Sequence, residues 1–123
     1  MLKNKDEIKQ LALDIAKILD NKKAQDVKIL KIDEKTVIAD YFVIAGGTSR
    51  TMVNSLADEV EYKIGEEKGI KPANIEGRGL GNWVLLDYEN VIVHIFNPQS
   101  RDFYNLEKLW AEGTEIEFDK EKE

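Results

Sequence analysis

The sequence predicts an α/β or α+β domain, a sheet of about five strands with helices packed on it. Three observations carry this reading. Two stretches repeat apolar residues at helical spacing: Ile8, Leu11, Ile15, Ile18 and Leu19, and later Val53, Leu56, Ala57, Val60 and Ile64. Between them lies a continuous apolar run, Tyr41-Phe42-Val43-Ile44-Ala45, which suits a central strand buried on both faces. Finally, Asn82 to Phe96 reads as two strands joined by the polar turn Tyr88-Glu89-Asn90.

Along the chain, Asn4 followed by Glu7 fits a helix cap, and the first helix is expected from Lys5 to Asp20. Val27 to Asp33 nearly alternates apolar and polar residues, as a half-buried strand does, and Asp33-Glu34-Lys35 forms a charged turn. After the central strand, Gly46-Gly47-Thr48-Ser49 leads into the second helix, with Thr48 or Ser49 as its cap. Lys68-Gly69 ends that helix and Pro72 prevents its resumption. A short strand, Asn74 to Glu76, precedes the loop Gly77-Arg78-Gly79-Leu80-Gly81 and the hairpin. Pro98 opens a turn; Phe103, Leu106, Leu109 and Trp110 then suggest a third helix ended by Gly113. The order is α-β-β-α-β-β-β-α. A single domain is expected over 1–113 and a charged tail over 114–123, where Ile116 and Phe118 are placed to dock as a short extension.

The 123 residues suffice for one hydrophobic core, and 42% apolar with 34% charged residues describe a soluble protein. No apolar run reaches the roughly 20 residues that span a bilayer. The first residues lack the apolar centre of a secretory signal, and their acids argue against a transit peptide, so the cytoplasm is the expected compartment. No cysteine and a single histidine exclude disulfides, thiolate sites, thiol nucleophiles and His-rich metal sites. A net charge of −6 disfavours nonspecific nucleic-acid binding and suits a basic protein partner.

Two places could carry chemistry. The Gly46–Ser49 turn enters a helix N-terminus, where free backbone N–H groups can hold an anion, but the phosphate-binding lysine and dinucleotide-binding spacing are missing. A transferase would also need paired acids to hold metal ions. Asp87 and Glu89 have alternate spacing but flank a hairpin turn, so the plainer reading of the junction is a capped turn. The hairpin holds Trp83 and the lone His94 together with Asp87 and Glu89. Trp83, Leu85 and Asp87 share one strand face, while Val84 and Leu86 take the other and should face the core. His94 shares a face with Ile92 and Phe96. Trp83 fits an interface anchor or a residue packed under a helix, and His94 fits a structural or partner-contacting role better than a catalytic one.

Taken together, Asp40-Tyr41-Phe42-Val43-Ile44, Gly47-Thr48-Ser49, Ala57-Asp58, Glu76-Gly77, Trp83 to Tyr88, Val91 to Phe96, Arg101, Tyr104 to Glu107 and Leu109-Trp110 closely resemble the ribosomal silencing factor, or Iojap-like, family. The resemblance runs from the first helix to Trp110 and rests on the order of these motifs. It implies a mixed sheet flanked by helices, like the nucleotidyltransferase fold without its catalytic acids, and no enzymatic activity or cofactor. It also implies binding to large-subunit ribosomal protein L fourteen, a block on subunit joining, and repression of translation when nutrients are scarce. Little direct nucleic-acid contact and no membrane contact are expected; a homodimer on the same face is left open. Carried onto this chain, the contact set is Glu76, Trp83, Leu85, Asp87, Tyr88 and His94. Trp83 and Leu85 serve as apolar anchors, and Glu76 and Asp87 face Lys or Arg. Two departures stand out: Arg50 follows Ser49 at once, and the hairpin turn reads Glu89-Asn90 where the family usually has Gly-Asp. The alternative is a divergent magnesium-dependent nucleotidyltransferase using Ser49 with Asp87 and Glu89; a dimerisation module without ribosome contact is a third reading.

Overall fold

A computed structural model describes residues 4–32, 39–97 and 113–118. The elements are α1 (Lys5–Asn21), β1 (Gln25–Ile32), β2 (Tyr41–Gly46), α2 (Arg50–Lys68), β3 (Asn74–Glu76), β4 (Trp83–Asp87), β5 (Val91–Phe96) and β6 (Gly113–Ile116). They form a mixed six-stranded sheet in the order β3-β4-β5-β2-β1-β6. Only the central pair, β2 and β5, is parallel; the other neighbours run antiparallel.

Each helix forms where its signals stand. The Asn4 side chain accepts the Asp6 N–H at 2.7 Å and caps α1. Ser49 caps α2 by accepting the Met52 N–H at 3.1 Å. Gly69 ends α2 in the left-handed region, φ 65°, where glycine carries no Cβ penalty. The stripes Ile8, Leu11, Ile15 and Leu19, and Val53, Leu56, Ala57, Val60 and Ile64, are buried against one face of the sheet. That face supplies Val27, Ile29, Tyr41, Val43, Ala45, Val84, Leu86, Val91, Val93 and Ile95. Each fully buried aliphatic side chain contributes about 1.5–3 kcal/mol, so this layer is the main core. Lys68 and Asp14 tie the two helices together at 2.7 Å.

Because side chains alternate across a strand, the same strands build a second apolar cluster on the opposite face: Leu30, Ile32, Phe42, Ile44, Ile92 and Phe96, with Ala39, Trp83 and Leu85 packed against it. Burial of all six β2 residues follows from having a cluster on each side.

The structure refines the sequence reading at several points. Strand β1 is buried on both faces in its second half, where Leu30 and Ile32 join Ile29. The pairing of β1 with β2 shifts register between Gln25 and Lys28, beside Asp26 with φ 48°; from Val27 onward parity holds, with Val27 and Ile29 on the helix face and Leu30 and Ile32 on the other. The sheet has six strands. The sixth comes from Gly113, read as the end of the third helix, and from residues read as the start of the tail: Ile116, Glu115, Thr114 and Gly113 pair with Ile29 to Ile32 of β1. The Asp33-Glu34-Lys35 turn, the Pro98 turn, the third helix with Phe103, Leu106, Leu109 and Trp110, and the last residues of the tail lie outside the described residues.

Candidate functional site

Strands β3, β4 and β5 set the geometry. In the ladder Glu76 pairs with Leu85, and Leu85 with His94. Directly paired residues project to the same face, so Glu76, Leu85 and His94 form one row across the sheet. Trp83, opposite Phe96, lies on one side of that row; Asp87, opposite Ile92, lies on the other. Five of the six residues expected at the contact surface therefore share a face, the one opposite the helices. Glu76 is exposed, and Trp83, Leu85 and Asp87 are half-buried. The arrangement is an apolar centre with a carboxylate on two sides.

His94 holds the centre in place. The Trp83 Nε1–H donates to His94 Nδ1 at 3.2 Å. The ring stacks parallel to Phe96 at 6.0 Å between centroids and meets the Phe42 ring nearly at right angles at 5.0 Å. Trp83 and Phe96 are 4.9 Å apart. Only 6% of His94 is exposed, and burial pushes its pKa down to about 4. At neutral pH the ring is uncharged, and because Nδ1 accepts from Trp83 the remaining proton sits on Nε2. That Nε2 is buried without a hydrogen-bond partner among the described residues. The expectation that His94 contacts a partner directly is thus corrected: it is a support behind Trp83.

Tyr88 departs further from expectation. It is 1% exposed and belongs to the core on the helix side of the sheet. Its hydroxyl is buried, again without a hydrogen-bond partner among the described residues. Burial raises its pKa, and the nearby Glu61 carboxylate adds to the rise. The reason is parity: Val84, Leu86 and Tyr88 alternate with Trp83, Leu85 and Asp87, so Tyr88 must leave the face that Asp87 occupies.

At the hairpin tip the Asp87 carboxylate accepts the Glu89 N–H at 2.7 Å, and the Asn90 N–H returns to the Tyr88 carbonyl at 2.9 Å. Glu89, not Asn90, takes the positive φ of 72°. Asn90 instead donates from its side chain to Asp40 at 2.9 Å, fastening the tip to the start of β2.

The residues of the alternative transferase site are not brought together. Ser49 follows the C-terminal end of β2, where Gly46 pairs with Phe96. Asp87 pairs with Ile92, which pairs with Phe42 near the opposite end. Four residues of strand, about 13 Å, separate the two levels before any offset across the sheet is counted. Ser49 is also engaged as a helix cap, and Asp87 as a turn acceptor.

Alternation alone places Phe96 on the face of His94, where the structure has it. Phe42 is the participant missed, since its meeting with His94 depends on the parallel register of β2 with β5.

Comparison with known proteins accords with this architecture. Residues 5–123 match the family model described as ribosomal silencing factor during starvation. The chain is similar to ribosomal silencing factor RsfS of Halalkalibacterium halodurans, 38% identical over 113 residues, covering 92% of this chain and 93% of the relative. It is 37% identical over 100 residues to RsfS of Bacillus subtilis, covering 81% and 84%. A crystal structure of a Chromobacterium violaceum protein superposes with a TM-score of 0.75 at 32% identity, covering 94% of this chain and 92% of that one. The chain is a member of the ribosomal silencing factor family.

Proposed function

We propose that this protein binds the large ribosomal subunit through ribosomal protein L fourteen, blocks joining of the small subunit by occupying that surface, and so represses translation without catalysing a reaction. The observation that carries the reading is the face shared by Glu76, Trp83, Leu85 and Asp87, an apolar centre between two carboxylates. Such a face suits a basic protein surface with an apolar spot at its middle. The net charge of −6 favours encounter with the same kind of partner. No cofactor enters this mechanism.

Trp83→Ala removes the central aromatic, and loss of such an anchor commonly costs about 2 kcal/mol or more, roughly thirtyfold in affinity. Glu76→Lys reverses a charge at an exposed edge position, where the fold has little to lose. Sucrose-gradient sedimentation with purified large subunits is expected to show both variants weakened while their circular dichroism stays native. A folded Trp83→Ala protein that sediments like wild type would sink the choice of anchor. Failure of the wild type to sediment with large subunits would sink the reading itself.

A further inference from the structure

We propose that this protein carries a small-molecule site between the first turns of α1 and the β1–β6 side of the sheet, and that the site takes a nucleoside monophosphate. It stands apart from the docking face and does not depend on it.

Strand pairing builds the floor. Lys31 of β1 pairs with Tyr41 of β2 on one side and with Thr114 of β6 on the other. Directly paired residues project to one face, and Tyr41 belongs to the core beneath the helices, so this row lies on the helix side of the sheet. On that face β1 supplies Val27 and Ile29, both buried, and then an exposed lysine where alternation would continue the core. The first turns of α1 form the wall. Lys5 and Lys9 stand four positions apart, hence on one stripe of the helix, with the buried Ile8 beside them. Between floor and wall lies a cavity of about 550 Å³, which Asp6, Asp40 and Ile116 also line. Sites for small ligands usually measure roughly 300–1,000 Å³.

Two independent observations give the cavity its chemistry. The first is charge. Three lysines line it against two carboxylates, in a chain where 24 acidic residues outnumber 18 basic ones. Among the described residues none of Lys5, Lys9 and Lys31 makes an ion pair, whereas Lys28 meets Glu115 and Lys68 meets Asp14. The positive end of the α1 dipole opens onto the same space. The second observation is Tyr41. It is only 7% exposed, it lines the cavity, and its hydroxyl makes no hydrogen bond among the described residues. Burial raises its pKa, and the Asp40 and Asp6 carboxylates add to the rise, so at neutral pH it keeps a proton to donate.

The ammonium groups, the Tyr41 and Thr114 hydroxyls and the helix end all offer protons. Their complement is an anion rich in acceptors, and a phosphoryl group is the compact form of one. A bare phosphate would leave most of the space empty and the other lining groups unmatched. A nucleoside joined to it matches them. Its hydroxyl and amino groups suit Asp6 and Asp40, the latter holding Asn90 with one oxygen only. Its flat base suits Ile8 and Ile116. The site is also distinct from the Ser49 turn, because Tyr41 opens β2 and Gly46 closes it at the other end.

The test is calorimetric titration of the full chain with AMP, GMP, CMP and UMP, with the parent nucleosides and inorganic phosphate as comparisons. At least one nucleotide is expected to bind with a Kd below about 1 mM. Its nucleoside and free phosphate should each bind at least about tenfold more weakly. Lys31→Gln and Tyr41→Phe remove a charge and a hydroxyl while keeping the aliphatic stem and the ring, and each should weaken the nucleotide about tenfold. Their thermal midpoints check that they fold. No saturable binding by any of the four nucleotides overturns the proposal. So does inorganic phosphate binding as tightly as the nucleotide, which would mean an adventitious ion only. Folded Lys31→Gln and Tyr41→Phe proteins that both bind like wild type would place the ligand elsewhere and overturn it too.

Discussion

At the scale of single residues, His94 shows how a buried polar group can hold a neighbouring aromatic side chain in place. Its Nδ1 accepts from Trp83 and its ring is walled by Phe42 and Phe96. Protonation would place a hydrogen on the very nitrogen that Trp83 uses. In the folded chain the ring takes its second proton near pH 4, against 6.5 when unfolded. Between these values the unfolded chain binds a proton that the folded chain refuses. Its contribution to stability is therefore intact above pH 6.5 and lost as pH falls toward 4, by about 3 kcal/mol across the window. Urea unfolding at pH 7 and pH 4.5 should reveal the drop, and His94→Asn, whose amide can still accept from Trp83, should flatten that part of the profile. An identical pH profile in the variant would assign the drop to carboxylates instead. Tyr88 carries a different lesson. Strand parity already placed it with Val84 and Leu86, so its burial was readable in the sequence; the family contact set led away from it.

At the scale of elements, the hairpin β4–β5 combines a well-specified register with a strained tip. Alternating burial along β4 fixes which face turns inward, because a slip by one residue would bury Asp87 and expose Val84 and Leu86. At the tip, Glu89 adopts φ 72°, a region that costs a side-chain-bearing residue about 1–2 kcal/mol. Glycine there relieves the strain and gives part of it back as unfolded-state entropy. Glu89→Gly is expected to raise stability by roughly 0.5–1 kcal/mol. Chemical denaturation checks this; a destabilised variant would mean that the Glu89 side chain contributes a contact beyond its backbone bond to Asp87. Sequence reasoning located the turn and both strands; on local preference alone a positive φ falls more easily on Asn90 than on Glu89, since asparagine tolerates it better. Tertiary context decided otherwise: the Asn90 side chain is drawn to Asp40, fifty positions away. The same limit holds for Arg78, whose guanidinium pairs with Glu61 on α2: nothing in a local window pairs a glycine-rich loop with a helix seventeen residues back.

Over the whole molecule, both helix stripes, the doubly buried central strand, the capping serine and the hairpin were legible because each is written in local periodicity or in a cap. The sixth strand was not. Thr114, Glu115 and Ile116 look like the start of a charged tail, and only the edge of β1 makes them a strand. The distribution of roles over the sheet is equally global: helices on one face, the Glu76–Leu85–His94 row on the other. An acidic chain docking onto a basic partner should associate more slowly as salt screens the attraction. Measured association rates with large subunits are therefore expected to fall between about 50 mM and about 300 mM monovalent salt, while dissociation, which the proposed docking assigns to the Trp83–Leu85 centre, changes less. A salt-independent association rate would remove charge steering from the account. The parallel pairing of β2 with β5 has a further consequence, for the order in which the chain folds. The β4–β5 hairpin closes a short loop and can form early, but Tyr41 meets Val91 only after α2 and the intervening strands have been spanned. Until then Phe42 is missing from the ring cluster, so the face proposed for docking is expected to reach its final form in the last cooperative step of folding, after the hairpin that bears most of its residues.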